Sequence, residues 1–256
     1  VTGVDSARHI EAVEQAGGLL ASAASRVPRD SRVPTCPDWD MGELVRHQGG
    51  VHRWATGVVA TPHTEFWDVG LDEVVGTWPD DDELVSWFEA GCRDLVAALR
   101  DAPDDLQCWT FLAAPTPKAM WARRQAHETT IHRVDAELAA SSAVTPIDPA
   151  LAADGVDELL ACFITRRGSK LRAERGQTLA VQATDVDDRW VVAIGPDEPV
   201  TERHSEAAAD CTIAGRAQDL YLTLWSRAVA SDAGVSVAGD EAVFALFCDA
   251  VHVRWQ

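Results

Sequence analysis

Residues 123–137 read R-R-Q-A-H-E-T-T-I-H-R-V-D-A-E, and the spacing inside this stretch decides what the chain builds. The zinc-binding pattern H-E-x-x-H works because its histidines stand at i and i+4 on one helix face. Here His127 and His132 are five apart, roughly 140° around a helix of 3.6 residues per turn, so they do not share one metal from a regular helix. Glu128 and His132 are four apart and lie one above the other, which is ligand spacing for a carboxylate and an imidazole. On this helix Met120, His127, Ile131, Val134 and Leu138 form an apolar stripe, and Trp121, Gln125, Glu128, His132 and Asp135 form the neighbouring one. The Glu–His pair therefore borders the buried face, where a carboxylate is costly unless it is paired or bound to a metal. An ordinary exposed Glu–His pair has the same spacing, so spacing alone leaves both readings open.

The stretch lies in a helix expected from about Pro117, a favoured early-helix residue, to about Ala140. Three other segments precede it. Asp5 or Ser6 caps a first helix with Ile10, Val13, Leu19, Leu20 and Ala24 on its apolar side, although Gly17 and Gly18 weaken it. Asp40 opens a second, with Glu43 three residues on as in a capping box. A third runs from about Asp82 to Arg100, its Leu84, Val85, Phe88, Cys92, Leu95, Val96 and Leu99 at helical spacing. Four amphipathic helices predict a four-helix bundle. The long connection from about Thr61 to Asp82 permits a crossover; it is acid-rich, lacks Lys and Arg, and carries Phe66, Trp67 and Trp78, which anchor part of it. On the second helix His47 falls in an apolar row with Leu44, Val51, Trp54 and Val58, and His52 lies on the other edge of the same arc. Either reads equally as a core histidine. One of them, meeting Glu128 and His132 in the bundle interior, completes a three-ligand set with an open coordination position.

The pattern changes after S-S-A-V-T-P-I-D-P. A helix is expected from about Pro149 to Arg166. T-L-A-V-Q-A-T-D and R-W-V-V-A-I-G then read as strands across a D-V-D-D turn, with V-T-E-R-H-S and D-C-T-I-A-G as weaker strands. A helix with Leu220, Leu222, Leu224 and Trp225, the segment V-S-V-A-G-D and a last helix with Val243, Phe244, Leu246 and Phe247 complete an α+β region. The expected domains are 1–145 and 146–256.

Two segments carry a family resemblance. T-C-P-D-W-D-M-G-E-L-V-R-H-Q-G-G-V-H-R-W (35–54) and A-H-E-T-T-I-H-R-V-D-A-E (126–137) resemble the signature segments of the mycothiol-dependent maleylpyruvate isomerase family, within the DinB-like superfamily. His47 stands where the metal-binding His of the motif C-P-x-W-x-x-x-D-L-x-x-H stands; Glu128 and His132 match the family's E-x-x-x-H. Glu43 replaces the motif's Asp, and Gln48 replaces the usual Leu after the metal His. The resemblance implies a DinB-like four-helix bundle followed by a smaller, sterol-carrier-like α+β domain. It also implies a divalent metal, usually zinc, held by His47, Glu128 and His132, and mycothiol, the low-molecular-weight thiol of actinobacteria, as cosubstrate. L-T-L-W-S-R (222–227) resembles the family's L-L-L-W-G-R, with Ser226 for Gly, and makes Arg227 the candidate catalytic arginine. On sequence alone Arg227 reads equally as a surface helix arginine.

Such a site suits thiol chemistry. A free thiol, with pKa about 8.5, is mostly protonated in the cell; zinc coordination deprotonates it, and the thiolate is a nucleophile for S-transfer or for reversible addition and cis–trans isomerisation. Metal-assisted hydrolysis and a non-catalytic metal- or small-molecule-binding module compete with this reading. The net charge of -19 over 256 residues argues against nucleic-acid or anionic membrane partners. The expected partners are mycothiol and a small-molecule substrate, with the chain a monomer or small homo-oligomer. The six cysteines are scattered without a C-x-x-C pair, as expected of reduced thiols in the cytoplasm. No secretory signal or membrane span is read in the sequence.

Overall fold

A computed structural model of the chain describes residues 4–61 and 63–252. It falls into two compact units, within which the described residues 4–145 and 146–252 group separately.

The first unit is the helical one. Asp5 accepts from the Arg8 amide at 2.9 Å and caps α1, Ser6–Ala24. The glycines do not interrupt α1: a Cβ at Gly17 would lie 2.4 Å from the Cys92 Sγ, so this glycine lets the helix pack closely on its neighbour. Asp40 and Glu43 form a reciprocal capping box on α2, Met41–Ala60. The following connection is not all loop, since Leu71–Val75 forms a short α3. The long amphipathic helices α4, Leu84–Asp101, and α5, Pro117–Ala139, complete the unit. The helices α1 and α2 each pack against both α4 and α5, so the bundle places α1 diagonally opposite α2. Leu20, Val33, Met41, Leu44, Leu84 and Phe88 are fully buried in a shared core. Burial of α5 exceeds what its sequence predicts: Arg124, Gln125, Glu128, His132, Arg133, Asp135 and Glu137 are all buried beside its apolar residues. Internal pairing offsets that cost; Arg133, for example, lies 2.8 Å from Glu137 and donates to the Thr145 carbonyl.

The second unit is α+β. Asp148 caps α6, Pro149–Asp157, which continues as a π-helical turn, Glu158–Phe163, in place of the regular helix expected to Arg166. A five-stranded sheet has the order β3-β2-β1-β4-β5. β1, Gln177–Ala183, and β2, Arg189–Ile194, form the predicted hairpin, with Gln177 opposite Ile194. The two weaker candidates are β3, Val200–Arg203, antiparallel to β2, and β4, Cys211–Gly215, parallel to β1. α7, Ala217–Leu224, links β4 to β5, Ser236–Gly239, and α8, Glu241–Ala250, packs on β1 and β4. Among the described residues no helix is long and apolar enough to cross a membrane.

Candidate metal centre

The centre lies on the seam between α2 and α5. His47 is the second-turn histidine of the helix that Asp40 starts, and Glu128 and His132 share one face of α5. The Glu128 Oε1 lies 3.6 Å from His47 Nε2 and 3.5 Å from His132 Nε2. These separations exceed an ordinary hydrogen bond. They match donors arranged round an ion: ligand bonds of about 2.0–2.2 Å in a tetrahedron hold neighbouring donors roughly 3.3 Å apart. The imidazole rings of His47 and His132 stand 5.1 Å apart at 73°. His132 and Glu128 are buried, and His47 keeps 19% of its side chain exposed.

A supporting shell orients these groups. Asp135, one helical turn beyond His132, lies 2.9 Å from its Nδ1; an Nδ1–H donating to that carboxylate leaves Nε2, on the Glu128 side, as the nitrogen that can ligate. Asp135 is itself held by the Thr35 hydroxyl at 2.5 Å and the Cys36 thiol at 3.8 Å. Arg124, one turn before Glu128, donates to the other carboxylate oxygen at 3.0 Å. Trp39 packs 4.7 Å from the His47 ring and 5.8 Å from that of His132. Burial alone would push the Glu128 carboxyl up, but the nearby His132 and His47 rings and the Arg124 charge outweigh it and hold it well below the usual carboxylate range. Burial lowers the pKa of His47, against the upward pull of Glu128. For His132 burial acts downward too, but Asp135 and Glu128 reverse it and its pKa is raised.

The alternative histidines are elsewhere. His52 is fully buried, stacked 5.4 Å from Phe88, with its Nε2 2.9 Å from the Thr129 hydroxyl and 2.8 Å from the Gln48 amide. Gln48 is equally buried and donates to Thr129 at 3.2 Å, which accounts for a polar residue where the family motif has Leu. His127 is buried in α5 with its ring 5.9 Å from that of His9. Arg227 is not on the surface of a helix. It follows the end of α7, is buried, and donates to the Trp225 carbonyl at 2.9 Å. Asp135, Arg124 and Trp39 escaped the sequence reading as site residues, though two of them carry a signal: one turn from His132 and one turn from Glu128 on the same helix.

Known proteins share this arrangement of domains. Residues 10–137 match the family model described as the mycothiol maleylpyruvate isomerase N-terminal domain, and residues 150–246 match the MDMPI C-terminal domain. The chain is similar to the crystal structure of the mycothiol-dependent maleylpyruvate isomerase, with a TM-score of 0.63 and 14% identity over 93% of this chain and 96% of that one. The figures are the same for a histidine-to-alanine mutant of that enzyme. These likenesses establish the fold. No curated protein matches this chain in sequence.

Proposed function

Because this chain belongs to the mycothiol maleylpyruvate isomerase family, we propose that it is a metal-dependent enzyme of the isomerase and transferase kind with mycothiol as its thiol cosubstrate. The observation that carries this reading is that ligand atoms of His47, Glu128 and His132 all lie within 4.8 Å of one another, with the Glu128 Oε1 3.5–3.6 Å from both imidazole nitrogens. Two imidazoles and a carboxylate suit zinc among several first-row ions. A divalent ion bound there supplies the Lewis acidity that makes a thiol of pKa about 8.5 a thiolate at neutral pH. The chain's own groups prepare that chemistry. Asp135 fixes the His132 tautomer, Arg124 balances the Glu128 charge, and Trp39 shields the histidines from water. The thiolate then attacks the electrophile. Rotation about the former double bond and loss of the same thiolate give isomerisation; protonation of the adduct carbon by solvent, or departure of a leaving group from the attacked carbon, leaves the sulfur in place and gives S-transfer. Arg227 takes a substrate carboxylate through its planar fork in this reading, which its resemblance to the family arginine supports. The scattered cysteines, with no C-x-x-C pair, fit a reducing cytoplasm.

Metal analysis of the purified protein beside His47→Ala, Glu128→Ala and His132→Ala tests the ligands. Stoichiometric metal is expected in the wild type and not in the variants; a triple variant that keeps its metal removes the assignment. Calorimetry with mycothiol, before and after chelation, tests the cosubstrate. Binding is expected only to the metal-loaded protein, and a loaded protein that binds no mycothiol points to hydrolysis or to a binding module instead.

A further inference from the structure

The seam that closes on the trio also closes on an aromatic wall. His47 and Trp54 are seven apart on α2, and Glu128 and Trp121 are seven apart on α5, about 10 Å along either helix. The Trp54 and Trp121 rings meet edge to face at 5.3 Å, so the antiparallel pairing that joins 47 to 128 joins 54 to 121. Two rings from the α4–α5 connection extend the wall. Trp109 stands 6.3 Å from Trp54 and 6.2 Å from Trp121, and Phe111 stands 5.3 Å from Trp109 and 5.9 Å from Trp121. Phe66 leans on Trp109 at 4.9 Å. The indole N–H groups of Trp54 and Trp121 donate to the backbone carbonyls of Trp67 and Trp109, at 3.4 and 2.9 Å. That bonding fixes two of the rings: Trp121 backs the wall, and Trp54, Trp109 and Phe111 carry its accessible surface.

The wall is open. Trp121 is buried, but Trp54, Trp109 and Phe111 are half-buried and Phe66 is 56% exposed. Val51, between His47 and Trp54 on the same face of α2, is also half-buried. Contiguous exposed aromatic surface beside a polar site is the make-up of a ligand subsite. Charge narrows the ligand. Phe66 lies between Glu65 and Asp68, and the segment from Thr61 to Asp82 holds no Lys or Arg; an anionic group beside Phe66 meets like charge.

We propose that Trp54, Trp109, Phe111 and Trp121 form the acceptor subsite and take an uncharged apolar ring of the electrophile. This rests on the thiol-transfer reading above and adds a substrate class to it. Contact with the wall takes up about 3.5–4 Å and the thiol most of the remaining distance, so the ring is close to the reacting carbon, as in an aryl-substituted alkene.

Calorimetry on the metal-loaded protein with cinnamamide and crotonamide tests this, because the two amides differ only by phenyl against methyl. Cinnamamide is expected to bind at least tenfold more tightly, the worth of burying a ring. Most of that advantage disappears in Trp109→Ala and part of it in Phe66→Ala, an exposed position whose change leaves the fold intact; Trp109→Phe retains it. Equal affinity for the two amides, or an advantage that survives both alanine variants, overturns the proposal. Mycothiol titrated into the same proteins is expected to bind the variants and the wild type alike. A tenfold loss of mycothiol affinity in Trp109→Ala, with the amides unchanged, gives the wall to the cosubstrate and overturns it too. If mycothiol binds none of the proteins, the functional reading fails while the amide comparison still decides the wall.

Discussion

Asp135 acts on the centre through one proton. Its Oδ2 lies 2.9 Å from His132 Nδ1, and that contact sets which imidazole nitrogen offers a lone pair to a metal. Asp135→Asn keeps the shape and removes the charge. Metal affinity is expected to fall by about tenfold to a hundredfold, the usual worth of an outer carboxylate, in competition with a chromophoric chelator. His52 shows the opposite use of a histidine. Burial pushes its pKa down to about 3, against roughly 6.5 in an unfolded chain. Between those values the unfolded chain takes up a proton that the folded chain refuses. Stability therefore rises with pH across that window, is fully present above it, and drains away as pH falls. At about pH 5 the loss from this group is about 2 kcal/mol. Urea unfolding of metal-free protein at about pH 7.5 and about pH 5 checks this. His52→Gln is expected to lose about 2 kcal/mol less than the wild type between the two, and an equal loss would show that His52 is not the group responsible.

At the scale of elements, adjacent glycines in α1 have opposite roles. A Cβ at Gly17 would lie 2.4 Å from the Cys92 Sγ, while a Cβ at Gly18 meets nothing within 4 Å. Gly17→Ala forces α1 away from α4 and is expected to cost about 1–3 kcal/mol, part of it recovered by adding Cys92→Ala. Gly18→Ala is expected to gain up to about 1 kcal/mol from helix propensity alone. Thermal unfolding of the three variants reads both signs. The end of α7 holds a comparable detail. Ser226 has φ 62, in the left-handed region that favours glycine, and the resembling family segment has Gly at this place. The turn it makes lets the Arg227 amide bond to the Leu222 carbonyl at 2.7 Å. Ser226→Gly is expected to raise stability by a few tenths to about 1 kcal/mol, with a higher thermal midpoint and Arg227 left in place.

Across the whole molecule, 41 acids against 22 Lys and Arg make the folded chain repel itself. Added sodium chloride screens that repulsion, so the thermal midpoint is expected to rise by a few degrees between low salt and about 0.5 M; a midpoint that falls would show that attractive ion pairs dominate. The same scale separates what was legible in the sequence from what was not. The long helices and the β1–β2 hairpin were legible, because burying one face imposes a period of 3.6 or 2 on the residues of the element itself. The five-residue α3 is too short to show a period, and nothing local marks where α6 turns into a π-helix. Glu128 and His132 were legible as a pair because four residues bring them together on one helix. His47 and His52 were not separable by pattern, since both border the apolar arc of α2. The packing of the bundle separates them: the His47 ring meets α5 at Glu128, and the His52 ring stacks on Phe88 of α4. The sequence by itself determined the long helices, the β1–β2 hairpin and the family, and it set Glu128 and His132 at ligand spacing, all of which rest on patterns within single segments. The family resemblance put His47 beside that pair, and only the tertiary structure decided where the His52 ring goes, how fully α5 is buried, and that rings from α2, α5 and the segment between α4 and α5 form one wall. Those are contacts between residues far apart in the chain, and their distances are set by helix packing, which no local period encodes.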